Sequence, residues 1–459
     1  MAVHAVGARV VELLFSTFPA KHTHVLRQEF YGPHFSLFTD VVLATNSPKT
    51  TPTLQSNIEL HPNKKEAACD FVNNLIQKGL DKGLYGFAFF QQLVSEYIAV
   101  VGHDKDLISN LVDHSLHMLS TRAGTQVVIY CTAYGTAKDR KRILKAVKGY
   151  TRSSLLHRDA YLAILQIVLV TDDTVSVHKS LLAELLTVDP EKKVSEDNQN
   201  HPLLEIALHD QASKLLLLLV APSDSDNTAN DDKEDKGIAR TPPASYSKFL
   251  DPLEQTVLQR NPTVMEPGSG VEVPTCKKNP STRRKELLQY MIKPLEHLCL
   301  QHTNQLARSL AGSRVLQQVY MNVSSSDELR ETLVQLCCPK TSGSKNKDKE
   351  QASLLDDPVG HYLAKHLVAA NPDFAHSLAK AMDFDRMISS SRAAFVVVAL
   401  CKTPERKAVL QRIPKSKLLA AMKRLKSKVE HEDDDDNKNN KVATMAGFEA
   451  LLKEVNGGE

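Results

Sequence analysis

The sequence predicts an all-α fold built as a superhelical solenoid of stacked helical repeats, and three observations lead there. Of 459 residues, 42% are hydrophobic and 24% charged, the balance of a folded chain, yet only 5% are aromatic, with no Trp and 18 Gly. That composition points away from a β-rich sandwich. A short pattern recurs, in which a small or polar pair precedes apolar residues and one variable position. It reads ARVVE at 8–12, GFAFF at 86–90, TQVVI at 125–129, AYLAI at 160–164, SKLLL at 213–217, SRVLQ at 313–317, GHYLA at 360–364 and AFVVV at 394–398. Starts recur 39, 35 and 34 residues apart, and the first two lie 78 apart. Such a period marks units that each need a neighbour to bury their apolar side.

Residues 1–221 read as repeats, the first of them incomplete. ARVVE leaves no room for the helix that should precede it, so further repeats are expected upstream. The clearest unit is RAGTQVVIYCTAYGTAKDRKRIL at 122–144. At 100° per residue, Gly124, Val127, Val128, Cys131 and Tyr134 share one side of a first helix. Arg122, Thr125, Gln126, Ile129 and Ala133 share the other, which is expected to face something other than the core. Gly135 ends that helix and Thr136 caps the next, which should bury Ile143, Leu144, Val147 and Tyr150. Its opposite stripe is Lys138, Lys141, Lys145 and Lys148, with Arg142 beside them. Residues 222–282 contain TPPAS and NPTVMEPGSGVEVP, which cannot hold a helix, and read as a partly disordered linker or insertion between two arms. Helical periodicity resumes over 283–459, with Pro294 a kink and shorter breaks at 46–53, 339–351 and 430–441.

The formal charge is only +3, but its distribution is uneven. Residues 138–158 hold eight Lys or Arg against Asp139 alone, and 402–428 hold ten against Glu405 alone. Acid is segregated at 224–235 and 430–436, blocks that read as solvated. A lysine at every third or fourth helical position keeps charge on one face, which suits the regular negative charge of a nucleic-acid backbone. Seven cysteines, an odd number with no C-x-x-C pair, read as reduced thiols. No phosphate-cradling Gly-rich loop, H-E-x-x-H, G-x-S-x-G or EF-hand pattern occurs, so no catalytic, cofactor or metal residue is assigned and an enzyme is not expected. The N-terminal residues lack the pattern of a secretory signal, and no stretch suits a membrane span.

The segments RAGTQVVIYCTAYGTAKDRKRILKAVKGY, HRDAYLAILQIVLVTDD, DQASKLLLLLVAPSD, TRRKELLQYMIKPLEHL and DPVGHYLAKHLV, with VLRQEFYGPHFSLF at 25–38, resemble the Puf-A branch of the Pumilio-like proteins, whose C-terminal region is called CPL or penguin. The resemblance implies Puf-type three-helix repeats, a CPL-like region beginning near 200, RNA binding with little sequence preference and a nuclear, nucleolar location. It also implies large-ribosomal-subunit assembly and pre-rRNA processing, with pre-rRNA and pre-ribosomal proteins as partners. In code-reading Pumilio proteins each repeat presents three side chains to a base. Carried onto this sequence, these are the first, second and fifth residues of each pentad: Ala8, Arg9 and Glu12; Gly86, Phe87 and Phe90; Thr125, Gln126 and Ile129; Ala160, Tyr161 and Ile164; Ser213, Lys214 and Leu217; Ser313, Arg314 and Gln317. Phe, Ile or Leu at the fifth position cannot hydrogen-bond a base edge, so most repeats have lost the code. Candidate RNA contacts are therefore the cations Arg122, Lys138, Lys141, Arg142, Lys145, Lys148, Arg152 and Arg158, with Arg9, Glu12, Gln126, Lys214, Arg314 and Gln317 from the former reading positions. Two rival expectations are a scaffold for acidic or amphipathic protein segments, which exposed Phe87, Phe90 and Tyr161 would favour, and a repressor of mRNA translation, which would need a working code.

Overall fold

The computed structural model describes residues 1–4, 6–33, 35, 53–186, 201–222, 242–266, 268, 270–339, 353–384, 390–413, 415–430 and 435–456. The expected breaks at 46–53 and 339–351 lie almost wholly outside these residues, and the acidic block at 224–235 lies wholly outside them. Helices carry the fold, and the only strands among the described residues are β1 (Thr263–Met265) and β2 (Glu272–Pro274), an antiparallel pair. The chain forms two compact units, one of Met1–Thr187 with Ser223–Leu287 and one of Val188–Pro222 with Leu288–Glu459.

In the first unit the long repeat helices are α1 (Gly7–Thr17), α2 (Ala88–Val101), α3 (Arg122–Tyr134) and α5 (Tyr161–Val170), with α4 (Ala137–Val147) following α3. In the second they are α6 (Ser213–Val220), α7 (Leu310–Asn322), α8 (Gly360–Ala370) and α9 (Ser391–Leu400). Complete three-helix repeats are a short helix at Ser115–Met118 before α3 and α4, and one at Thr303–Arg308 before α7 and a helix at Asp327–Cys337.

One local device sets most of these helices. A side chain accepts a hydrogen bond from the N–H three residues on, satisfying an orphan donor of the first turn. It is His4 to Gly7 (3.3 Å), Thr121 to Gly124 (3.0 Å), His157 to Ala160 (3.2 Å), His209 to Ala212 (3.3 Å), Ser309 to Gly312 (3.3 Å), Asp357 to Gly360 (2.8 Å) and Ser390 to Ala393 (3.4 Å). The residue receiving the cap is Gly or Ala because the preceding short segment passes against it. A Cβ on Gly124 would stand 2.0 Å from the Met118 carbonyl oxygen, and one on Gly360 would stand 2.6 Å from that of Leu354. α2 lacks the device, since its N-cap is Phe87. Glu12 of the preceding repeat substitutes, its carboxylate accepting the Ala88 and Phe89 N–H groups at 3.0 and 3.2 Å, where the helix N-terminus favours negative charge.

The insertion at 222–282 departs from expectation. The described residues of 242–282 belong to the first unit, because their polar groups find partners there. Gln259 exchanges backbone hydrogen bonds with the Gln166 amide (2.8 and 2.9 Å), Tyr161 donates to the Glu254 carboxylate, and Tyr246 is buried. Two buried arginines fasten this strap. Arg140 donates to the carbonyls of Thr132 and Ala133 at the end of α3 and to Thr275. Arg283 donates to Leu169 at the end of α5, to Asp172 and to the Arg260 carbonyl. Pro294 lies inside one continuous helix, Pro280–Gln301. Of the acidic break at 430–441, residues 435–441 belong to the helix Asp435–Asn456, while 431–434 lie outside the described residues.

Candidate nucleic-acid interface

α4 follows from its sequence. Thr136 and Asp139 form a capping box (Asp139 N–H to Thr136 at 3.2 Å, Thr136 N–H to Asp139 at 3.0 Å), and Ile143, Leu144 and Val147 are buried. Lys138, Lys141, Lys145 and Lys148 are exposed in a row, and none joins an ion pair with a described residue. The nearby acids are engaged. Asp139 is buried in the cap, Asp173 caps the turn at Ser176 (3.0 Å), and Asp113 is clamped by Arg142 (2.9 Å). The hydrogen bond from Arg142 holds the Asp113 carboxyl below its ordinary range, and bonding from Ser176 does the same for Asp173, with Lys145 and Lys141 adding to each. Among the described residues, the face therefore presents four ammonium groups without acidic partners beside carboxylates that are already engaged.

Other residues expected here fall differently. Arg142 is a brace between α4 and Asp113, because the acid lies 29 positions back in the chain and invisible to local spacing. Tyr150, expected in the core, is 51% exposed. Arg122 is exposed in the first turn of α3. Arg158 is exposed and bonded to its neighbour Asp159 at 3.0 Å. Arg152 is half-buried, with its N–H donated to Glu184 at 3.1 Å. Arg140 lies outside the cationic row and is buried, and the sign of this in the sequence is that it shares the helical phase of Ile143, Leu144 and Val147.

The former reading positions are largely closed. The cap places Thr125, Gln126 and Ile129 on α3 and Ser313, Arg314 and Gln317 on α7 in equivalent places, with Ala8, Arg9 and Glu12 on α1 and Ser213, Lys214 and Leu217 on α6 matching them. Three pentads, those at 86, 160 and 360, start out of register, the last because its cap puts His361 and not Gly360 first. On α5 the equivalent residues are Tyr161, Leu162 and Leu165, and on α2, counted from Phe87, they are Gln91, Gln92 and Ser95. Phe87 is a cap and Phe90 is 1% exposed. Ala8, Thr125, Ile129, Ala160, Tyr161, Ile164, Ser213, Leu217 and Ser313 are buried. The second side of α3 thus packs on neighbouring repeats; in particular, Gln126 is half-buried with Ser95 at 3.3 Å. Glu12 is the cap of α2 and not a reader. Arg9 and Arg314 remain exposed, Lys214 and Gln317 half-exposed. On α5 the strap sits on the reading position itself, through Glu254 on Tyr161.

Comparison with known proteins agrees with this architecture. The CPL (NUC119) domain family matches residues 249–380, so the matched region starts inside the strap and not near 200. "Pumilio homolog 24" of Arabidopsis thaliana is 25% identical over 403 residues, covering 82% of this chain and 60% of that protein. "Pumilio homolog 3" of Danio rerio is 24% identical over 379 residues, covering 80% of this chain and 51% of that protein. The chain thus spans about half of the length of such relatives. Among solved structures, human Puf-A superposes with a TM-score of 0.66 at 18% identity, covering 98% of this chain and 77% of that one. Human Puf-A in complex with DNA gives 0.64 at 17% identity, covering 92% and 74%.

Proposed function

Because the chain is a Puf-A-like member of the Pumilio family with a CPL region, we propose that it binds RNA through the phosphate backbone, with little sequence preference, in nucleolar assembly of the large ribosomal subunit and processing of its RNA. The observation that carries the proposal is the row Lys138, Lys141, Lys145 and Lys148, exposed and without an ion pair among the described residues, beside carboxylates already engaged. Such contacts position a nucleic acid without reading it. The closed reading positions support the same conclusion and disfavour sequence-specific repression of mRNAs. Of Phe87, Phe90 and Tyr161, on which the scaffold reading rested, Phe90 and Tyr161 are buried and Phe87 is half-buried, which disfavours it. The chain has no assigned catalytic role in this proposal; pre-rRNA and pre-ribosomal proteins are its partners.

The test is affinity for unrelated RNAs across a salt series. One steep common slope is expected, because neutralised phosphates release counterions. Reversal of Lys141, Lys145 and Lys148 to Glu should weaken every RNA alike and reduce the slope by about one per lysine. A change in the order of preference among RNAs would overturn the proposal.

A further inference from the structure

Beside the lysine row runs a second feature, made of rings. Tyr85 and His114 stack with centroids 3.6 Å apart and planes 13° from parallel, and His117 continues the series at 6.4 Å and 32° from His114. The stack joins consecutive repeats, since Tyr85 belongs to the short helix Leu84–Gly86 before α2 while His114 and His117 flank the start of the short helix before α3. His114 stands seven residues before the cap Thr121, and Tyr150 stands seven before the cap His157. The next repeat therefore sets an aromatic ring in the same place, 51% exposed. Cations border this series of rings. Asp113, adjacent to His114, is held by Arg142 and lies within electrostatic reach of Lys145, and Tyr150 follows Lys148 by two residues.

We propose that Tyr85, His114, His117 and Tyr150 form a base-stacking edge for single-stranded RNA whose phosphates lie on the α4 lysines. Every base has a π-face, so stacking adds affinity without demanding sequence, and cations beside the rings suit a strand that carries bases on one edge and phosphates on the other. A duplex keeps its bases stacked on each other and offers this edge nothing. The edge lies off the long repeat helices, so closure of their reading positions does not obstruct it. The inference rests on the α4 face as the backbone site and adds to it a choice of strandedness.

The experiment compares binding of a single-stranded oligouridine and an RNA duplex of equal length, at one salt concentration, to the wild-type chain and to His117→Ala/Tyr150→Ala. Both side chains are exposed, so the fold is retained, and His117→Phe/Tyr150→Phe serves as the ring-preserving control. The alanine pair should weaken the single strand roughly fivefold or more and the duplex by less than about twofold, with the phenylalanine pair near wild type. Equal losses on both RNAs, or none on the single strand, overturn the stacking edge. If the Lys141, Lys145 and Lys148 reversals weaken both RNAs while the alanine pair changes neither, the backbone site stands and the edge falls. If the wild-type chain binds neither RNA, both fall.

Discussion

Glu12 illustrates how a side chain's role depends on what folding brings to it. Its own helix places it at a reading position, but its carboxylate closes the bare N-terminus of α2, more than seventy residues away. Glu12→Ala should cost about 1 kcal/mol in chemical denaturation, typical of a lost cap, with affinity for RNA unchanged. The sequence showed the acid and the missing cap at Phe87 separately; nothing local joined them. Arg142, expected at the nucleic acid, is held by Asp113 for the same reason, while the burial of Arg140 is legible from its helical phase. Histidines respond to burial in one direction. His103, His114, His178, His201 and His361 are all pulled below their ordinary value, chiefly by desolvation. The unfolded chain therefore takes up protons first, so stability is full above the unfolded value of about 6.5 and declines as pH drops through it. Urea midpoints should fall steadily between about pH 7 and pH 5.

At the scale of the element, the period of the helices was readable and their register was not. Apolar pentads recur because each long helix packs on its neighbours, but register is fixed by the cap and by the small residue three positions later. Pentads that began one or more residues off, as at 86 and 160, placed the wrong side chains on the reading face. The device is testable at its tightest points. Gly124→Ala and Gly360→Ala each drive a methyl into a carbonyl of the preceding segment, and each should cost roughly 1–3 kcal/mol. Ala160 and Ala212 occupy the same position with a methyl in place, and they mark where the approach is looser.

For the whole molecule, composition groups 1–221 into one arm and sets the insertion apart, whereas the first unit is Met1–Thr187 with Ser223–Leu287 and Val188–Pro222 belongs to the second. Pro, Ser and Asp made 222–282 look like a linker, and the buried arginines that hold 242–282 in place lie in helical segments on either side. A fragment ending at 222 would leave Arg140 without Thr275 and would uncover Tyr161, so it should melt well below the first unit of the full chain in scanning calorimetry.

The chain crosses between its two units three times, after 187, 222 and 287. That route imposes an order on birth. The repeats up to 187 emerge first, but the strap that completes them arrives about 100 residues later, a wait on the order of 5–20 s at ordinary rates of synthesis. Throughout that interval the nascent chain carries the flank of α5 that Glu254 and Gln259 will cover, together with a guanidinium at Arg140 awaiting its last acceptors. Helpers that shield emerging chains have a defined window in which to act on this protein, and it closes when the segment around residue 283 leaves the tunnel.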